Sequence, residues 1–304
     1  MKRDVTEIRK LAEECVSQGK YEEGIAIYKE LIEQHQGDDS LAMSLAWAYQ
    51  DNGETDMAIE CLEGLLEKEL AGSIFIGFAF DELVRIYRNE GQYEKLLSIC
   101  ERSVALYPNE VSLLTTLGDA CLRFGNTDRA IRVFEMLTEM EPDSPVHLCS
   151  LGNAHIANGN IKKGKKAYEK ASRIDPSEAP VFFSRLGHFL SRCGHLAEAE
   201  EAVRKSIKIN GSDPATYCSL GDILITQNKV DEGMASYEKA IQIDAASKDS
   251  YYNRLGNVLS ENSHHLEAVG AYEKAVAAEP ANPFYRARLV ESHKQYKCRE
   301  EINT

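Results

Sequence analysis

The dipeptide Leu-Gly recurs at Leu117–Gly118, Leu151–Gly152, Leu186–Gly187, Leu220–Gly221 and Leu255–Gly256, at intervals of 34, 35, 34 and 35 residues. An apolar residue stands three positions before each pair: Leu114, Leu148, Phe183, Tyr217 and Tyr252. A fixed period of this size marks a stacked array, in which one supersecondary unit is copied along the chain. Counted from the first residue of each unit, the repeats fall at 5–38, 39–72, 77–110, 111–144, 145–178, 180–213, 214–247 and 249–282. Gly19, Gly53, Gly91, Gly125, Gly159 and Gly194 all occupy the fifteenth position, between two helical patterns. Glycine there predicts a helix end in the left-handed conformation. Asn228 and Ser263 replace it in the last two units; Asn tolerates that conformation, Ser less well.

The second half of each unit has its own register. Position twenty is small, as Ala58, Ala130, Ala199 and Ala268 or as Gly24, Gly164 and Gly233, so that two helices can approach closely; Leu96 breaks the pattern. Aromatic Tyr28, Phe134, Tyr168, Tyr237 and Tyr272 follow four residues later, and Ala171, Ala240 and Ala275 three after that, one face of a helical period. Pro108, Pro142, Pro176 and Pro280 end second helices, while Pro145, Pro180 and Pro214 suit a first turn, where no N–H is required.

This pattern resembles the tetratricopeptide repeat (TPR) family over nearly the whole chain, most specifically in the last five units. The resemblance implies an all-α fold, a right-handed α-α superhelix or TPR solenoid, organised as one array over 1–304. Such an array needs a solubilising cap, and 283–299 is expected to supply it as a helix that begins with Pro283 and packs through Leu289, Val290 and His293. Seventeen helices are expected, two per repeat and one cap. Four extra residues separate the second and third units, within Ala71-Gly-Ser-Ile-Phe-Ile-Gly-Phe-Ala-Phe80. Two readings are open: a longer first helix or loop with Ile74 and Phe75 packed locally, or a hinge or exposed apolar contact for a partner.

Composition narrows the function. The net charge is −14, and residues 1–144 hold 14 basic against 29 acidic side chains while the remainder is nearly neutral. That balance disfavours a nucleic-acid or anionic-membrane partner, which needs clustered cations. The eight cysteines form no CxxC pair and suggest neither disulfides nor zinc, which suits a reducing, cytoplasmic setting. No apolar stretch is long enough to span a bilayer. There is no GxxxxGK[ST] loop, no GxSxG elbow and no HExxH pair, so no cofactor, no metal and no catalytic residue is expected. His147, Cys149 and His155 make the nearest approach to a metal set, but the register sends Cys149 into the groove and His155 inward. His264–His265 reads as a solvated turn. Lys162-Lys-Gly-Lys-Lys166, the one dense basic run, reads as a solvated convex face or a contact for the acidic half.

In this family the first helices line the concave side, with positions two, five, six, nine, twelve and thirteen implied to point into it. Two patches of candidate peptide-binding residues result. The first joins Met43, Trp47 and Phe78 with Arg85 and Arg88; Trp47, the sole tryptophan, either anchors a partner or packs on the neighbouring first helix. The second joins Asn153, Arg185, His188, Arg192, Asn253, Arg254, Asn257 and Arg288, whose guanidinium groups suit carboxylates. The carboxylate clamp of co-chaperone family members is not implied, because across the units starting at 145, 180 and 214 only Asn153 falls in place. The chain therefore reads as a protein-interaction scaffold or adaptor that binds a peptide or helix, possibilities that include an acidic segment. Self-association and a non-catalytic accessory role in an enzyme complex are the alternatives.

Overall fold

The computed structural model describes residues 5–72 and 75–303, with side chains described up to Lys297. The expected packing of Ile74 lies outside the described residues, as do the side chains of Cys298 and Arg299. Every regular element among the described residues is helical. First helices are α1 (Val5–Ser17), α3 (Asp39–Asp51), α5 (Phe78–Asn89), α7 (Val111–Arg123), α9 (Pro145–Ala157), α11 (Ala179–Arg192), α13 (Pro214–Thr226) and α15 (Lys248–Glu261). Second helices are α2 (Tyr21–Gln34), α4 (Thr55–Ala71), α6 (Tyr93–Leu106), α8 (Thr127–Met140), α10 (Ile161–Ile174), α12 (Leu196–Ile209), α14 (Val230–Ile243) and α16 (His265–Ala278), and α17 (Pro283–Asn303) follows them.

The helices form two compact units, Met1–Val133 and Phe134–Thr304, with the division inside α8. In the first, each helix from α1 to α7 packs on the next. In the second, α9 to α17 do the same, and α9, α11, α13 and α15 also touch in succession.

Each helix pair is closed by the turn that the glycine period predicts. Gly19, Gly53, Gly91, Gly125, Gly159 and Gly194 adopt φ between +66° and +81°, and Asn228 and Ser263 adopt +65° and +67°. The next amide reaches back five residues, as in Lys20 N–H to Cys15 O at 2.9 Å and Asn160 N–H to His155 O at 2.8 Å. These bonds satisfy carbonyls that a helix end would otherwise leave unpaired. Pro145, Pro180 and Pro214 lie in first turns. The Asp213 carboxylate caps α13 by accepting from the amides of Ala215 and Thr216, both at 3.1 Å.

Packing within a pair depends on small residues where the helices cross. A Cβ on Gly152 would stand 2.8 Å from the Tyr168 ring, and one on Gly164 would stand 2.4 Å from Ile156 and 2.8 Å from the Gly152 carbonyl. Gly221 and Gly233 repeat this arrangement around Tyr237 and Ile225. The tyrosine buried in the crossing donates its hydroxyl to position nine of its own unit: Tyr168 to Asn153 at 2.8 Å, Tyr272 to Asn257 at 2.8 Å, and Tyr237 to Asp222.

Three details of the sequence reading are corrected. No longer first helix forms at the extra residues: α5 has only 12 residues, Phe75–Gly77 are loop with Phe75 packed locally on Phe80 and Tyr107, and it is the preceding second helix that is long, α4 with 17 residues against 14 in α2. Buried Leu65, Leu66 and Leu70 carry the apolar stripe of α4 one turn further. Positions five and twelve do not all face a groove, since Cys149, Ile156, Cys218 and Ile225 are buried. Ile156 packs in one cluster with Leu186 and Leu190, and Cys218 and Ile225 in another with Leu255 and Leu259, so these positions meet the next first helix. Finally, α17 buries Tyr285 and Ser292 and packs Leu289 on the Leu255–Tyr272 cluster, while Val290 and His293 are exposed. Positions eight and eleven of a first helix normally pack on its own second helix; α17 has none in the described structure, and its packed face turns toward α15 and α16. The Tyr285 hydroxyl donates to Asp249 at 2.9 Å.

Candidate functional site

The helix α3 carries Met43 and Trp47 one turn apart, which places both on one face. Leu41, Leu45, Ala48 and Tyr49 take the packed face, leaving Met43 half-buried and Trp47 48% exposed. The longer α4 brings Leu65 and Glu69 alongside, and the chain returns through Phe75–Gly77 into α5. Phe75 anchors that return, its ring 5.7 Å from Phe80 and 5.5 Å from Tyr107. The Tyr107 hydroxyl donates to the Gly72 carbonyl at 2.6 Å, and Glu69 Oε1 accepts the Ala79 amide at 3.0 Å in the first turn of α5. With the return fixed, Ile76 and Phe78 face outward, 65% and 68% exposed.

These elements, all in the first unit, enclose a cleft of about 610 Å³ lined by Met43, Trp47, Leu65, Ile76 and Phe78, together with Ser40 and Ser44. Three large apolar side chains this exposed around one concavity are costly to leave in water. Covering about 100 Å² of each aromatic would contribute about 2.5 kcal/mol apiece at 25 cal/mol per Å².

The rim is polar and mostly self-paired. Arg9 bonds to Glu13 at 3.2 Å and to Ser40 at 3.0 Å, Asp39 accepts Lys68 at 2.7 Å, and Glu82 accepts Arg85 at 2.6 Å. Asp81 makes no side-chain hydrogen bond or ion pair among the described residues. Burial, reinforced by Glu82 and opposed by Arg88, raises its pKa above the ordinary carboxylate value.

Met43, Trp47 and Phe78 thus come together in one cleft. Arg85 stands beside it, held by Glu82 and also donating to Gln50, and Arg88 is half-buried with its Nε unpaired. Sequence reasoning missed Ile76, Leu65, Glu69 and Asp81. The signal was present in the four-residue insertion, but not the side it lengthens.

In the second unit, Arg185, His188 and Arg192 are exposed along α11. Arg254 is already engaged, its Nη2 2.6 Å and its Nε 3.2 Å from Asp222 Oδ2. The Arg288 guanidinium lies 5.1 Å from the Phe284 ring centre. Asn153 and Asn257 accept tyrosine hydroxyls, and Asn253 is half-buried with an unpaired Oδ1. Asn257 and Arg288 also line a depression of 420 Å³ with Ser260, His265 and Tyr272. Lys165, from the basic run, pairs with Glu201 at 2.6 Å.

Cys149 is fully buried, contrary to its expected place in the groove, and buried His147 contacts Glu141 at 2.9 Å. No three metal-ligating side chains cluster among the described residues. Burial pushes the thiols of Cys149 and Cys218 up to about 11 and that of Cys100 up to about 12, so they stay protonated at neutral pH.

Successive helix pairs closed by left-handed turns define a helical-repeat protein with exposed anchors on a first-helix face. Sequence profiles of the tetratricopeptide repeat match residues 16–71, 79–110, 148–178, 182–213, 214–247 and 249–282, and the chain belongs to that family. It is 25% identical over 210 residues to the human protein O-mannosyl-transferase TMTC1, covering 68% of this chain and 23% of that protein. Over 83 residues it is 28% identical to human protein O-mannosyl-transferase TMTC3, covering 27% of this chain and 9% of that protein. The chain thus spans less than a quarter of the length of these curated relatives. A solved tetratricopeptide repeat protein from Parabacteroides merdae aligns over 88% of this chain and 98% of its own, with a TM-score of 0.53 at 18% identity, a likeness of fold. No helix among the described residues is long and apolar enough to cross a membrane.

Proposed function

We propose that this protein is a non-catalytic interaction scaffold that holds a segment of a partner protein on its first helices, chiefly in the cleft of Met43, Trp47 and Phe78. The observation that carries this reading is the exposure of Trp47, Ile76 and Phe78 around one apolar concavity. Aromatic anchors in a desolvating pocket are where binding energy concentrates. Arg185, His188 and Arg192 offer a secondary surface for a carboxylate-bearing segment; Arg254 contributes less, because it is already paired with Asp222.

The test compares two double variants against a partner recovered from native extract and identified by mass spectrometry. Trp47→Ala with Phe78→Ala should abolish association, and Arg185→Glu with Arg192→Glu should weaken it less. All four sites are exposed, so thermal unfolding should barely change. Association that survives both pairs of substitutions would overturn the reading.

A second reading is favoured by the similarity to TMTC1: an accessory array that presents proteins to a glycosyl-transfer enzyme. Co-purification of a transferase that depends on Trp47 would select it.

A further inference from the structure

We infer that the Trp47 cleft takes a short segment in which a bulky apolar residue is flanked by Lys or Arg. The inference rests on the scaffold reading and assigns the chemistry of the occupant. An apolar cleft alone would accept any apolar side chain; the charges left over around this one choose among them.

Two cations that border the cleft are already paired. Arg9 is tied to Glu13 and Ser40, and Arg85 to Glu82. Two acidic groups are not. Asp81 lies on the cleft lining with no side-chain hydrogen bond or ion pair among the described residues, and the one cation acting on it is Arg88. Glu69 also lines the cleft; its Oε1 holds the Ala79 amide, while its Oε2 is buried without a hydrogen-bond partner. A buried unpaired acceptor is unfavourable until a donor reaches it. The raised pKa of Asp81 has the same origin: burial and Glu82 oppose its charge, and Arg88 only partly offsets them. A lysine or arginine entering with the apolar anchor would pair with the exposed Asp81 carboxylate and bring its charge close to Glu69. An acidic segment would set like charges against them.

The wider field agrees, because residues 1–133 hold 14 basic against 25 acidic side chains. Opposite charge on the partner would speed encounter and suppress wrong partners. Of the wall formed by Ile76 and Phe78, Ile76 lies in the insertion, outside the repeat register, so this chemistry belongs to one place on the chain.

The experiment pans a phage-displayed random dodecapeptide library against the full chain. Enriched peptides are then titrated by fluorescence anisotropy against wild type and the variants Trp47→Ala, Trp47→Phe and Asp81→Asn. The expected peptides pair an aromatic or aliphatic residue with Lys or Arg. Their affinity should fall at least about tenfold in Trp47→Ala, recover in part in Trp47→Phe, and fall about threefold or more in Asp81→Asn. Added salt should weaken binding. Enriched peptides that are acidic or uncharged yet depend on Trp47 would overturn the charge assignment and leave the cleft reading standing. Peptides indifferent to Trp47 would overturn both. Sedimentation of the free protein supplies the remaining arm: a dimer lost in Trp47→Ala would mean that a second copy, not a basic segment, is the occupant.

Discussion

Three glycines with similar chemistry have different consequences because of where each Cα sits. At Gly159, φ is +78° and the space around a new Cβ is open, so Gly159→Ala fails on backbone strain alone, by about 1–2 kcal/mol. At Gly270 the space is equally open but the residue is helical, so Gly270→Ala should stabilise by about 1 kcal/mol. At Gly164 the backbone is helical and the space is filled by Ile156 and the Gly152 carbonyl, so Gly164→Ala should cost about 1–3 kcal/mol through overpacking. Urea unfolding of the three variants checks all three signs. The first and third positions were legible in the sequence, as the fifteenth and twentieth of the unit; the second was not, because a helical glycine with nothing beside it leaves no periodic trace. Cysteines behave likewise. Cys193 is exposed whereas Cys100, Cys149 and Cys218 are buried, and burial raises the pKa of all four thiols. Cys193 should therefore react with a thiol reagent well before those three, and equal labelling rates would contradict the packing.

At the scale of elements, the repeat register specifies where helices start and stop but not what happens when it is interrupted. The insertion after Gly72 was visible as a count of residues. Its structural outcome depends on Leu70 extending α4 and on Phe75 finding Phe80 and Tyr107, contacts between residues up to a unit apart. The exposure of Val290 and His293 on α17 had the same cause: which positions are buried depends on the partners present, not on the position number. Removing residues 283–304 should uncover the Leu255–Tyr272 cluster and lower the melting temperature, and an unchanged melting curve would contradict the packing of Tyr285 and Leu289. The cleft carries a pH signature. Asp81 is faced by Glu82 and Arg88 on α5, by Glu69 on α4, and by Asp39 and Arg9 across the cleft. Its folded pKa is raised, so its ionised form opposes folding at neutral pH, and that penalty disappears as pH falls through the folded value. A cationic partner needs the ionised form. Binding should therefore weaken over the same fall in pH while stability does not drop on account of Asp81, and Asp81→Asn should remove this part of the pH dependence.

For the molecule as a whole, the sequence supplied the fold class and the number of helices, because a stacked array repeats its instructions in every unit. It supplied the site less completely. Trp47, Met43 and Phe78 were legible as groove positions, whereas the commitments of Arg254 to Asp222 and of Asn153 and Asn257 to tyrosines were not, since each depends on a side chain from another helix. Excess acid in residues 1–144 and the arginines of α11 give the two units different surface chemistries, so their partners should differ in charge. The most direct test uses Trp47, the sole tryptophan of the chain. With a basic, apolar segment from the library bound to saturation, its emission should shift to the blue and its quenching by acrylamide should fall. Saturation confirmed by anisotropy with both the emission and the quenching of Trp47 unchanged would contradict the account.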